Sequence, residues 1–188
     1  REDRLPPFQP HGYTHDLKLL VDHRDQLNAE RTRVCNRLHA HLAIAHPGYQ
    51  RTIGRQLTSK RSLDRVEDLI DGGQDLRSEL AREALARLRE LDSQIRATAG
   101  RIDTLVADTN TTLTKIVGIS NLNAARILGE VVDVTRFPTA AAFAANNGTA
   151  PIPASSGRTD RHRLNRGGNR RLNRALYVIA LTQSRHEP

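Results

Sequence analysis

The stretch from Ala84 to Leu105, ALARLRELDSQIRATAGRIDTL, decides the fold. Within it Ala84, Leu91, Thr98 and Leu105 step by seven residues, and Leu88, Ile95 and Ile102 fill the positions between. That spacing draws one apolar seam along an α-helix, the pattern of a coiled coil, while the remaining positions are charged and suit solvent. A seam of this kind needs a partner helix.

An earlier segment supplies one. Leu17, Leu20, Leu27, Val34, Leu38 and Leu42 recur at sums of three and four, with Arg24, Arg31 and Arg37 between them, until Pro47-Gly48 interrupts the pattern. With Asp16 as its N-cap, this predicts an amphipathic helix of about 30 residues, some 45 Å long at ~1.5 Å per residue. A short connector follows Ser62, carrying Leu63, Val66, Leu69 and Ile70, and ends at Gly72-Gly73. Two long helices joined through a short one most simply fold back as an antiparallel hairpin.

Composition agrees with helices. Aromatic residues make up 3% of the 188, with no Trp and no Met, so Leu, Ile, Val and Ala must build the core. A β-sandwich or barrel is excluded on that palette. The single cysteine, Cys35, can form neither an intramolecular disulfide nor by itself a zinc site, which points to a cytoplasmic protein. Cys35, His39, His41 and His46 invite a metal reading, but His41 points away from the Cys35/His39 face, so an ordinary helix surface is preferred. The longest apolar run, Ala140 to Ala145, is far short of the roughly 20 residues a membrane helix needs.

The net charge of +8 is unevenly placed. From Pro151 onward there are eight arginines against Asp160 and Glu187, a net of +6, which leaves +2 for residues 1–150. A basic concentration of this kind suits a polyanion, and the guanidinium grips phosphate through two bonds at once.

The expected organisation is all-α: a linker over 1–15, a long antiparallel coiled-coil hairpin over 16–108, and a small helical domain over 109–188. In that last domain Leu113 to Leu128 reads as a helix ending in a turn centred on Gly118, and a second helix beginning at once with small alanines on its inner face. This is the spacing of a helix-hairpin-helix, in which free N–H groups at a helix start hold a phosphate. Residues 146–157 read as a loop without room for a regular element between the prolines. Ser155 and Ser156 stand in that loop before Gly157, followed by Arg158, Arg161, His162 and Arg163, which can stabilise charge developing on a phosphate. Arg166, Asn169, Arg170, Arg171 and Arg174 then lead into a last helix with Leu172, Leu176, Ile179 and Ala180 on its apolar side. Cations there oppose the helix dipole, a cost that an incoming phosphate relieves.

Together, Ile116-Val-Gly-Ile119, Arg136-Phe-Pro138, Asn147-Gly-Thr-Ala-Pro151, Ser155-Ser-Gly157, Arg161-His-Arg-Leu164 and Gly168-Asn-Arg-Arg-Leu-Asn173 resemble the C-terminal domain of DEDD-type insertion-sequence transposases, a group that includes the Piv/MooV DNA invertases. The likeness covers about residues 113 to 185, and Asp22 to Leu27 with Glu30 to Arg33 resembles that family's middle segment. It implies a transposase or site-specific recombinase in which a serine attacks a DNA phosphodiester and forms a covalent phosphoserine link. Carried over, that serine is Ser156, with Ser155 the alternative, and Gly118, Ser120, Arg158, Arg161, Arg163, Arg166, Asn169, Arg170, Arg171 and Arg174 are the expected DNA contacts. The resemblance also implies a RuvC-like domain whose four acidic residues hold Mg2+. This chain is expected to be an internal fragment without that domain and to need no cofactor of its own.

DNA, as element ends and target, is the implied partner, with a guide RNA and a second copy of the chain through the coiled coil as further ones. Val117 and Ser120 depart from the family's usual Pro-Gly-Ile-Gly, and Asn146 stands where an aromatic is common, which weakens the expected phosphate grip at the hairpin. Two other readings of the same residues are a non-catalytic helical nucleic-acid-binding module and a coiled-coil assembly protein.

Overall fold

A computed structural model describes residues 12–54, 57, 59–155, 157 and 159–186. The expected linker therefore falls mostly outside the described residues. Helix α1 runs over Tyr13–Ala45, so it begins three residues before the expected Asp16 cap, and Asp16 instead lies in the first turn with its N–H bonded to the Gly12 carbonyl at 3.1 Å. A carboxylate there favours the helix dipole as a cap would.

Short helix α2, Gln50–Ile53, was not expected from the sequence. The connector is helix α3, Lys60–Ile70. Its cap is Ser59 rather than Ser62: the Ser59 hydroxyl accepts the Ser62 N–H at 3.1 Å, and the Ser62 hydroxyl accepts the Ser59 N–H at 3.2 Å. This reciprocal box satisfies two otherwise orphaned donors. The second long helix, α4, spans Leu76–Asp108.

The chain divides into two compact units, one of residues 23–99 and one of residues 1–22 with 100–188. Helices α1 and α4 thus each contribute residues to both.

The first unit is a long helix hairpin closed by α2 and α3. Leu27, Val34, Leu38 and Leu42 of α1 share a buried core with Ala81, Leu85, Leu88 and Leu91 of α4, and with Leu63, Val66 and Ile70 of α3. Three of its arginines are consumed internally. Arg31 reaches Asp92 at 2.5 Å and the Leu57 carbonyl at 2.8 Å, Arg87 reaches Glu30 at 2.6 Å, and Arg89 spans Asp64 and Glu67 at 2.9 and 2.7 Å. The Nδ1 of His39 lies 2.5 Å from the Tyr49 hydroxyl, while Cys35 is half-buried. Among the described residues no three His, Cys, Asp or Glu side chains gather to hold a metal ion.

In the second unit, Leu17 and Val21 bury against Ile102, Val106, Ala124 and Ala125. The element before Gly118 is a 3-10 turn of three residues, Leu113–Lys115, not the expected helix. Helix α5, Asn121–Val131, follows, capped by the Ser120 hydroxyl. It crosses α1 closely, because a Cβ on Gly129 would sit 3.0 Å from Lys18 backbone atoms.

A second 3-10 turn, Val134–Arg136, leads to helix α6, Ala140–Asn147. Asn146 and Asn147 are thus its last turn rather than loop. The expected loop beyond them holds a strand after all. Strand β1, Ile152–Pro153, pairs antiparallel with β2, His162–Arg163. Proline tolerates this position because a two-strand ribbon leaves its missing N–H on an outer edge. Helix α7, Arg170–His186, packs on α5 and α6 and buries Leu172, Ala175 and Ile179, whereas the expected core residue Ala180 is exposed.

Candidate nucleic-acid interface

The β1–β2 ribbon carries the serine loop at its tip. The Ala154 N–H bonds the Arg161 carbonyl at 2.7 Å, extending the pairing one residue beyond β1. Ser155 closes the tip from inside: its hydroxyl accepts the Arg161 N–H at 3.2 Å and donates to the Asp160 carboxylate at 3.3 Å. Gly157 holds φ +65°, with open space where a side chain would project, so it serves the turn and not a close approach. Ser156 and Arg158, both singled out by the sequence, lie outside the described residues.

Beyond the ribbon the chain meets the end of α6 backbone to backbone. Gly148 ends α6 in the left-handed region at φ +77°, and a Cβ on it would stand 2.7 Å from the Gly167 carbonyl oxygen. Gly168, at φ +80°, faces it, and a Cβ there would stand 2.5 Å from the Asn146 oxygen and 2.8 Å from the Gly148 nitrogen. The Asn169 N–H bonds the Asn146 carbonyl at 2.8 Å, and the Asn173 amide bonds the Asn147 carbonyl at 3.0 Å. Two segments 20 residues apart in sequence are thereby locked together at the start of α7.

Asn169 caps α7, its side-chain oxygen accepting the N–H groups of Arg171 and Leu172 at 3.1 and 3.0 Å. The other half of the amide donates to Glu130 of α5 at 2.5 Å. An internal cap and tie thus occupies the side chain expected on DNA. Arg171 is also taken, by Asp22 and, at 3.6 Å, by Glu130. Arg161, Arg163, Arg166, Arg170 and Arg174 differ: they are exposed and form no ion pair among the described residues.

Glu130 is the residue that sequence reasoning missed. It is 10% exposed and is bonded by Lys18 of α1 as well as by Asn169. Burial, the largest single influence, pushes its pKa up, but the Lys18 and Asn169 hydrogen bonds and the Lys18 and Arg171 charges together outweigh burial and hold it below the ordinary value. The sequence signal was one acid within the apolar run of α5, beside Gly129; a charge so placed needs a partner.

A depressed folded pKa means the carboxylate stabilises the fold above its unfolded value near 4.5 and loses that contribution as pH falls through the lower folded value. Glu130→Gln should cost about 2 kcal/mol at neutral pH, less than a fully buried pair because Lys18 is 37% exposed. The gap between wild type and variant, measured by urea unfolding, should close as pH drops below that window. A gap independent of pH would remove the assignment.

At the far end of α7, Gly118 holds φ +85°, and a Cβ on it would meet the Ile179 carbonyl at 3.1 Å and the Thr182 side chain at 3.2 Å. Its close approach is to α7. The Val117 carbonyl accepts from Gln183 at 3.0 Å, and a shallow cleft of about 570 Å³ lies between Lys115–Ser120 and the Val178 and Thr182 side chains. The Ser120 hydroxyl, expected on DNA, is engaged with the Asn123 N–H at 3.4 Å as the α5 cap.

Against this geometry the comparisons with known proteins are informative. The model of the transposase IS116/IS110/IS902 family matches residues 110–188. The C-terminal segment is similar to insertion-sequence transposases. This transposase-like segment contains the serine ribbon, the Gly148/Gly168 junction and the whole of α7. The chain is also 28% identical over 221 aligned positions to the insertion element IS110 uncharacterized 43.6 kDa protein of Streptomyces coelicolor. That alignment covers 93% of the chain and 54% of the relative, so the chain spans about half the length of the curated protein it matches. No helix among the described residues is long and apolar enough to cross a membrane.

Proposed function

We propose that the chain is the DNA-binding and serine-bearing portion of a transposase of the DEDD, Piv/MooV-like type. The observation that carries this reading is the close grouping of exposed arginines around the ribbon and the start of α7, whereas exposed arginines of the hairpin, such as Arg33, Arg37, Arg51, Arg61 and Arg96, are spread along its length. In the helix hairpin Arg31, Arg87 and Arg89 are spent on carboxylates, whereas Arg161, Arg163, Arg166, Arg170 and Arg174 of the transposase-like segment are exposed and unpaired among the described residues. Unpaired guanidinium groups at a helix start are electrostatically costly until a phosphate arrives.

In the proposed reaction the Ser156 oxygen bonds to a DNA phosphorus, the bond from phosphorus to the leaving deoxyribose oxygen breaks, the serine proton passes to a base, and the leaving oxygen takes up a proton. The arginines hold the phosphate and stabilise its charge. The start of α5 is a second backbone phosphate contact. Magnesium belongs to the RuvC-like domain implied by the resemblance, and no step here is routed through it. A second copy of the chain, paired through the outer faces of the α1–α4 hairpin, and a guide RNA are further partners at the DNA ends.

Salt titration tests the reading. If about four of the exposed arginines each neutralise a phosphate, log K should fall against log salt with a slope near −3.6, roughly a hundredfold loss between 50 and 200 mM. A flat response would remove the nucleic-acid reading and leave an assembly protein. A steep response in a full-length protein that forms no covalent DNA adduct would leave a binding module without chemistry.

A further inference from the structure

The start of α7 is held by one carboxylate. Glu130 receives Lys18 from α1, the Asn169 amide at 2.5 Å and, at 3.6 Å, Arg171. Its bond to the Asn169 nitrogen leaves the Asn169 oxygen turned toward the Arg171 and Leu172 N–H groups. A primary amide has one donating and one accepting end, so an acceptor placed at Glu130 dictates which end caps the helix. The next residue along from Asn169 is Arg170, and Arg174 stands one turn further, both exposed and unpaired among the described residues.

We propose that Glu130 is a positioning residue for polyanion binding: by fixing the Asn169 amide it sets the first turn of α7, and with it the aim of Arg170 and Arg174 at DNA phosphate. The inference rests on the phosphate-binding reading of this segment. It makes an acid a requirement for binding an anion, opposite in sign to what charge alone demands. Glu130→Gln raises the net charge by one, which through simple electrostatics would tighten DNA binding. A loosened helix cap would weaken it.

The test compares the full chain and its variants for binding to a short DNA duplex at fixed salt, well below the unfolding temperature, with amide hydrogen exchange read at Arg171 and Leu172. Glu130→Gln is expected to weaken binding about tenfold and to speed exchange at those two amides, in keeping with the loss of an N-cap. The double variant Glu130→Gln/Asn169→Asp should restore both to within about threefold, since the bond then runs in reverse, amide to carboxylate, the cap oxygen is kept and the net charge is that of wild type.

Unchanged or tighter binding by folded Glu130→Gln, or failure of the double variant to recover, overturns the positioning role while leaving the DNA reading intact. Absence of any salt-dependent duplex binding by wild type overturns both.

Discussion

Gly168→Ala is expected to cost about 3–5 kcal/mol, enough to lower the melting temperature of the transposase-like segment by at least about 12 °C. Two penalties add. Gly168 sits at φ +80°, where an L side chain costs roughly 1–2 kcal/mol, and its Cβ would lie 2.5 Å from the Asn146 oxygen and 2.8 Å from the Gly148 nitrogen. Those neighbours are backbone atoms fixed by the end of α6, so relief means parting the two segments and losing the Asn169 to Asn146 hydrogen bond. Gly157→Ala is the internal control. It shares a positive φ, +65°, but meets open space, so it should pay the conformational cost alone, about 1 kcal/mol. Thermal melts of the two variants should therefore separate clearly, and equal losses would mean that the close approach of Gly148 and Gly168 does not hold the segment.

Under the proposed function, Ser156→Ala, introduced into the full-length protein and assayed with its own element ends, is expected to abolish covalent attachment to DNA, a loss of at least about a thousandfold. Ser155→Ala should retain the adduct to within about tenfold. The difference is chemical. The Ser155 hydroxyl is already committed across the ribbon tip, accepting the Arg161 N–H and donating to Asp160. That is a brace for the turn, exposed and worth roughly 0.5–1.5 kcal/mol. Its removal should soften the loop without removing the attacking atom. Attachment retained by Ser156→Ala and lost by Ser155→Ala would reverse the assignment.

What the sequence made legible was periodic or local. The seam from Ala84 to Leu105 foretold α4, and of its seven residues Leu88, Leu91, Thr98 and Ile102 are buried while Ala84, Ile95 and Leu105 are partly so. Ser120 and Asn169, by contrast, were expected on DNA and are helix caps. The misses were of two kinds. Boundaries moved where more than one residue could cap, as with Ser59 and Ser62 at α3. Tertiary partners were invisible because nothing in a local window reports them: Glu130 meets residues 112 positions before it and 39 after it, and Gly168 meets the end of α6. For the same reason arginine counting overstated the free charge. Arg171 looked identical to Arg170 in the sequence, yet it is bound to Asp22 and Glu130.

The division of α1 and α4 between two cores bears on how the chain acquires its structure. Leu17 and Val21 are made before the hairpin, yet the residues that cover them, Ile102, Val106, Ala124 and Ala125, are made some eighty to a hundred residues later. Residues 23–99 have their own core and can close on themselves in the interval. The apolar face of Leu17 and Val21 therefore waits for its cover longer than the hairpin core does, and during synthesis it stands open to chaperones and to mispairing with other copies.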